Sequence, residues 1–525
     1  MSTPSFNVID EHWIHVVDDK GNRKELGLRD VLLQAHELRE IRDPMPTVEF
    51  GLYRLLTALI LDIHEFDDAD LDKLSNLLDT GRFSDDEVNS YLDRHRDRFD
   101  LFSDDYPFLQ TLGMKDDPIG AMAALAHAIP SGSNQIHFHH RAEADFRVGP
   151  AAAARLLTTL APFTTAGGRG YSPSINGTPP WYVLVCGDSL FQTLCFNTCV
   201  VPVLGTIRDT PPAWRNDRPP TPGARRSNTS LREAMTWRPR RLQLIAGEAG
   251  RCSIDGTNCP VTISTLRFTA GDSCDFTAWR DPSVPYMTVD KGVYAIRPKE
   301  GKELWRETGP LALLKDQGND KVQFTRPNLI DQFHELRRSR AISKDTRLNL
   351  VAYGIRTDQM KVFEWRRESL SVPFALVMDR SSHQVCQDEI DKADEVSSKL
   401  RTAVKMTFPR KGEGAKAPQE TVAVCAQQWF WHSLQVAHTR FLDDLAVAEA
   451  DVELRAGAIA EWRSEVKRHA WTSLSNAIDH LDTDNEALRR WAEARHWFGK
   501  QLAVAYMTNE EKLTAKQRKA KKEKG

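Results

Sequence analysis

The chain has 525 residues, too many for one hydrophobic core, so roughly two to four domains are expected. Its hydrophobic content of 41% and charged content of 27% are those of an ordinary soluble globular protein. A formal net charge of -3 lacks the overall basicity that would announce a nucleic-acid binder, so any such role must rest on local clustering.

Met1 to Asn7 has no basic segment followed by an apolar core, so no secretory signal is expected. Phe6, Val8 and Ile9, then Trp13, Ile14, Val16 and Val17, read as strand, with a polar turn over Asp18 to Asn22 around Gly21. Thr47 is the expected cap of a helix in which Val48, Leu52, Leu55, Leu56, Leu59, Ile60 and Ile63 recur at helical spacing. The apolar run Leu52 to Ile63 is too short to span a membrane and contains Arg54, which predicts a buried amphipathic helix. Helices are expected over Leu71 to Leu78 and Asp85 to Arg96, and shorter ones over Ala121 to His127 and Ala151 to Leu160. Trp181 to Cys186 and Leu190 to Asn197 have strand-like composition.

Residues 205–241 hold nine arginines, no lysine, six prolines and three acidic residues. Proline opposes regular structure there. The stretch reads either as a basic loop following a phosphate backbone or as a solvated surface insertion. From Leu242 to Thr357 short strands alternate with Gly, Asp and Pro. Leu350 to Gly354 and Lys361 to Trp365 read as a β-hairpin whose tip presents Arg356, Thr357, Asp358 and Gln359. Four helical runs follow at about 385–407, 418–449, 453–481 and 485–508, with short breaks that make them antiparallel neighbours. In the fourth run, Leu488, Trp491, Ala492, Arg495, Phe498 and Leu502 form a stripe. The lysine-rich end from Lys512 has no apolar face and is expected to be solvated. The expected organisation is α+β, with a large mixed domain over 1–380, a four-helix bundle over 381–510 and a basic flexible tail over 511–525. Eight cysteines without framework spacing predict reduced thiols and a cytoplasmic location.

Two segments suggest binding rather than catalysis. Gly167-Gly168-Arg169-Gly170-Tyr171-Ser172 follows a loop, His137-Phe138-His139-His140-Arg141. Glycine has no Cβ, so another molecule's backbone can approach the main-chain N–H groups, and a flanking arginine favours phosphate. A tight surface turn accounts for the same glycines. The run lacks the Gly-Lys-Ser/Thr ending of a P-loop and the spacing of a dinucleotide site, and nothing marks a base for Ser172. Cys252, Cys259 and Cys274 lack zinc spacing and a second pair, so they read as free buried thiols. His137, His139 and His140 have no carboxylate nearby, and His432, His438 and His469 read as helix-face or core residues. No enzyme activity, cofactor or metal is expected.

The ordered set of segments resembles the CasA family, the large subunits of the type I-E Cascade, a bacterial CRISPR surveillance complex. The resemblance is carried by Phe6 to Ile14, Pro107-Phe108-Leu109-Gln110, the loop around Phe138, and the glycine run with its trailing Asn176-Gly177-Thr178-Pro179. It continues through Tyr286 to Gly292, the hairpin Gly354 to Gln359 and the terminal helices. It implies a non-catalytic subunit that reads the protospacer-adjacent motif of double-stranded DNA from the minor groove, starts unwinding and R-loop formation, and helps recruit the CRISPR nuclease-helicase. The implied DNA contacts are a glycine loop at Gly167, Gly168 and Gly170, a lysine at Lys291, a wedge at Gln359 and an aromatic at Phe138. Asp358 stands where the family's best-known form has Asn. Some members hold zinc with two cysteine pairs, but 141–150 here contains no cysteine. Implied partners are the other Cascade subunits with crRNA, target DNA and the nuclease-helicase, with no membrane. The competing reading is a stand-alone nuclease or phosphotransferase using the glycine loop. It needs an acidic metal cluster, yet Asp104-Asp105 and Asp443-Asp444 lack a third ligand at a telling spacing. A third reading is a scaffold that docks partners through its bundle alone.

Overall fold

The apolar run around Arg54 forms the helix Pro46–Ile63, and nearly every side chain on it is buried. It is a core helix enclosed on all sides, not a one-faced amphipathic helix. Its start also differs from expectation. Met45 is the N-cap residue, Pro46 takes the first helical position, and Thr47 lies buried inside. Proline's fixed φ suits that position, and its missing N–H would have no intrahelical partner there. Thr47 is therefore not needed as a cap.

The computed structural model describes residues 4–127, 145–167, 170–208, 210–223, 225–275, 277–318, 321–338, 347–358, 361–409, 416–478 and 484–507. The chain divides into two compact units. One comprises Met1–Glu300, Gly318–Ser343 and Leu348–Ser371, the other Gly301–Gln317, Lys344–Arg347 and Val372–Gly525.

The first unit mixes helices with small sheets. Ile14–Asp18 lies between Arg23–Leu26 and Leu38–Ile41, antiparallel to both. Thr265–Ala270 pairs antiparallel with Arg240–Ile245 and with Ile119–Ala121. Tyr286–Val289 pairs antiparallel with Gly292–Ala295 and Val322–Thr325. Arg347–Asp358 lies between Lys361–Pro373 and Tyr182–Cys186, with Tyr353 opposite Tyr182. The expected hairpin is thus present, with longer strands than its apolar cores suggest.

Two further expectations, about element type, fail in this unit. Leu190–Asn197 is a helix, not a strand. A short apolar run cannot distinguish a strand from a buried helix, and local capping decides here. The Ser189 side chain accepts a bond from the backbone N–H of Gln192, and the Asn197 amide closes on both backbone groups of Val185, at 3.1 and 2.8 Å. Ala121 to His127 is not an α-helix either. It divides into the end of the strand Ile119–Ala121 and a 3-10 turn, Met122–Leu125, because the edge strand captures its first residue.

Most cations of the arginine-rich stretch meet acidic partners within the fold, although much of the stretch between Arg215 and Asn228 is exposed. Arg215 and Arg232 meet Asp62 at 2.9 and 3.5 Å, Arg208 meets Asp68 at 2.7 Å, and Arg241 meets Asp117 at 3.6 Å. Arg218 meets Asp272 at 2.9 Å, and Arg226 forks onto Glu233 at 2.6 and 2.5 Å. Burial raises the Glu233 carboxyl, but bonds from Arg226 and Thr229 outweigh it and hold the group at about 2.

The second unit is built on Arg380–Met406, Lys416–Ala448, Val452–Ile478 and Asn485–Ala505. Phe441 stacks on Trp462 at 5.4 Å, and His438 packs between Trp305 and Trp462. Burial lowers His438 to about 3, so it is a neutral core residue. The earlier segment 301–317 belongs to this unit. Arg306 lies over the Trp431 ring at 3.6 Å and pairs with Asp394 at 2.5 Å. In the last helix Phe498 and Leu502 are buried, but Leu488 is half exposed, so the expected stripe covers only the later turns. Among the described residues, no helix is long and apolar enough to cross a membrane.

Candidate nucleic-acid interface

The glycine run leaves the end of the short helix Leu160–Phe163 and turns back on itself. The Gly167 N–H donates to the Tyr171 carbonyl at 3.2 Å. A Cβ on Gly167 would lie 3.0 Å from the Tyr171 Cβ, so any side chain there would press Tyr171 back by a few tenths of an ångström. Gly170 is different. Its φ of +88° favours glycine, and a Cβ there would meet nothing within 4 Å. Among the described residues, nothing crowds the Gly170 backbone on that side. Tyr171 stacks on Phe268 at 6.3 Å, and the Ser172 hydroxyl bonds that of Ser273 at 2.5 Å. Gly168 lies outside the described residues, as does Phe138.

Lys291 sits in the turn that joins Tyr286–Val289 to Gly292–Ala295. It is exposed, and its carbonyl accepts a 3.4 Å bond from the Tyr294 hydroxyl. Gly292, at φ +132°, completes the turn. Asp358 ends the strand Arg347–Asp358, while Gln359 lies outside the described residues. On the same strand, a Cβ at Gly354 would come within 2.9 Å of the Trp181 ring, so the hairpin lies tight against a fully buried tryptophan. Arg356 pairs with Glu300 at 2.9 Å.

These elements share their roots. The Trp181 N–H donates to the Ile296 carbonyl at 2.9 Å and the Val183 N–H to the Ser283 carbonyl at 2.8 Å. On the other edge, Tyr182–Cys186 pairs with the hairpin strand. One short strand thus ties the segment leaving the glycine run to both the Lys291 hairpin and the Gln359 hairpin. Below it, Asp281 accepts from Arg54 at 2.7 Å, from Asn176 at 2.8 Å and from the Ser283 hydroxyl at 2.7 Å. Its own N–H donates to the Tyr286 hydroxyl at 2.8 Å. Burial opposes charge on Asp281, but Arg54 and these bonds hold its carboxyl below the usual range. A second buried carboxylate, Glu49, accepts from Tyr353 at 2.7 Å and Arg367 at 2.6 Å, fixing the hairpin base to the core helix. The described contacts join the bases of the three elements, not their tips.

A profile of the family described as CRISPR-associated protein Cse1 matches residues 7–473. The chain belongs to the Cse1 family. Its sequence is 27% identical over 531 residues to the CRISPR-associated protein CasA/Cse1 of Thermus thermophilus, covering 95% of this chain and 98% of that one. Its fold is similar to that of Cse1 from Acidimicrobium ferrooxidans, with a TM-score of 0.74 at 23% identity over 96% of this chain and 99% of that one. A chain of a CRISPR RNA-guided surveillance complex shares the fold at a TM-score of 0.62 and 20% identity, covering 90% of this chain and 99% of that one.

Among the described residues, no three His, Cys, Asp or Glu side chains are placed to share a metal ion. Asp443 is engaged by Arg347. Cys252 is buried and Cys259 partly so, both free thiols. Sequence reasoning missed Arg240, whose guanidinium reaches the carbonyls of Thr165 and Ser172 on either side of the glycine run. It also missed the Asp281 anchor. The quoted Asn176 carried that signal, because a polar residue after a glycine run needs a buried partner when the chain turns inward.

Proposed function

We propose that this chain is the non-catalytic large subunit of a cytoplasmic, Cascade-type RNA-guided surveillance complex. It inspects double-stranded DNA for a protospacer-adjacent motif from the minor groove, starts unwinding and R-loop formation, and helps recruit the nuclease-helicase. Its partners are the other Cascade subunits with their crRNA, the target duplex and the nuclease-helicase. The observation that carries the reading is the Cse1 match over residues 7–473, joined to three turn-borne elements rooted on one strand.

The division of labour follows from groove chemistry. The minor groove separates A·T from G·C only coarsely. The uncrowded backbone at Gly170 suits close approach of a sugar-phosphate edge, and the Lys291 amine can donate to the groove's acceptors. Gln359, with Asp358 beside it, is placed by sequence at the hairpin tip as the wedge. Inserting it costs a few kcal/mol of unstacking per step, which contacts to the bent duplex offset. Sequence beyond the motif is left to guide pairing. Gly168 completes the glycine loop, and Phe138 acts from the preceding loop.

The test is reconstitution with guide RNA and the partner subunits, followed by permanganate footprinting of a matched target duplex. R-loop formation should require this chain, and Gln359→Ala should reduce unwinding more than initial duplex contact. Equal unwinding without the chain, or duplex cleavage by the chain alone, contradicts the reading.

A further inference from the structure

Arg240 begins the strand Arg240–Ile245, opposite Ala270. Its side chain is almost fully buried, and none of its described partners is a carboxylate. One terminal nitrogen donates to the Ser172 carbonyl and, at 2.8 Å, to that of Pro239. The other donates to the Thr165 carbonyl at 2.7 Å. The guanidinium lies 5.2 Å from the Tyr171 ring centre and 5.8 Å from that of Phe268. Six arginines of the 205–241 stretch meet carboxylates and Arg238 donates to carbonyls within the stretch itself, whereas Arg240 reaches out to the backbone on both sides of a glycine turn. Burial pushes it down to about 10, with Tyr171 opposing, so the cation is held at a cost.

We infer that Arg240 is a positioning residue that fixes the shape of the glycine loop for DNA by gripping the carbonyls on its two flanks. The inference rests on the reading of that loop as a DNA contact. A run of glycines has many conformations to lose on binding, and the Gly167 to Tyr171 and Ser174 to Thr164 backbone bonds close the loop without reaching its two flanks from outside. A planar fork reaching both flanks removes that freedom beforehand, which lowers the ordering cost of association. The guanidinium also lies over the rings of Tyr171 and Phe268. Lysine keeps the charge but has neither the fork nor the planar face.

The test compares Arg240→Lys and Arg240→Met in the full-length chain. Amide hydrogen exchange of 165–172 is read on the protein. Motif preference is read on the reconstituted complex, as enrichment from target duplexes with randomised flanking bases. Both variants should speed exchange in 165–172 and lower enrichment of the preferred flank by about tenfold, the scale of one lost charged hydrogen bond. Failure of lysine to rescue identifies the fork rather than the charge as the working part. Phe268→Leu, which leaves every hydrogen bond in place, should give a smaller shift in the same direction and covers the case in which an Arg240 variant does not fold. Wild-type exchange in 165–172 for the variants overturns the grip. Faster exchange with unchanged enrichment supports the grip and overturns the loop's assignment to motif reading.

Discussion

Two stretches of this chain look like DNA contacts, and they differ in what the fold leaves available. The arginine-rich stretch 205–241 is the louder signal, with nine arginines. Folding commits most of its cations to carboxylates such as Asp62, Asp272 and Glu233. The glycine run is the quieter one, yet among the described residues nothing crowds Gly170, and the run has a strand root shared with Lys291. Positive charge in a sequence attracts DNA only where no acidic group has already answered it. Arg240 joins the two stretches, since the first supplies the side chain that shapes the second.

The contrast breaks most completely at its common root. Asp281→Ala should leave Arg54 buried and unpaired and lower stability by about 3–5 kcal/mol. A denaturant melt showing a loss below about 1 kcal/mol would mean that Asp281 does not anchor the glycine run. Next is the arginine lattice. Glu233 is held at about 2 in the folded chain, so its contribution is present above the ordinary 4.5 and is lost as pH falls toward about 2. Glu233→Gln should lower the melting temperature at neutral pH and flatten its dependence below pH 4.5. An unchanged acid limb would show that the lattice contributes no stability.

Smaller effects sharpen the comparison on DNA itself. Lys291→Ala should weaken binding of the complex to its preferred flank by about 1–3 kcal/mol, the scale of a base-edge contact. Equal weakening on all flanks, with the salt slope reduced by about 1, would make it a phosphate contact instead. Arg208→Ala should change DNA affinity by less than about 0.5 kcal/mol, since Asp67 and Asp68 already face that side chain. Titration of the same duplexes at two salt concentrations checks both.

How much of this was legible in the sequence depended on the range of the interaction. The bundle helices were readable because apolar spacing and breakers are local, and the strand Tyr182–Cys186 was readable for the same reason. Leu190–Asn197 was misread because eight mostly apolar residues satisfy either period until Ser189 and Asn197 are considered. The membership of 301–317 in the helical unit left no local mark, since Arg306 finds Asp394 across 88 residues. The turn positions of Gly170 and Lys291 were legible because turns favour visible residue types. Arg240 and Asp281 were not found, because carbonyl partners and ion pairs distant in sequence cannot be paired from a single chain.

The central claim is that this chain, through its glycine loop and Lys291, sets the flanking-base preference of an RNA-guided complex. The most direct measurement is selection by the reconstituted complex from duplexes with one fixed target and randomised flanking bases. The account predicts a defined flank enriched in the presence of this chain, weakened by Lys291→Ala and absent when the chain is omitted. Equal enrichment with and without the chain would contradict it.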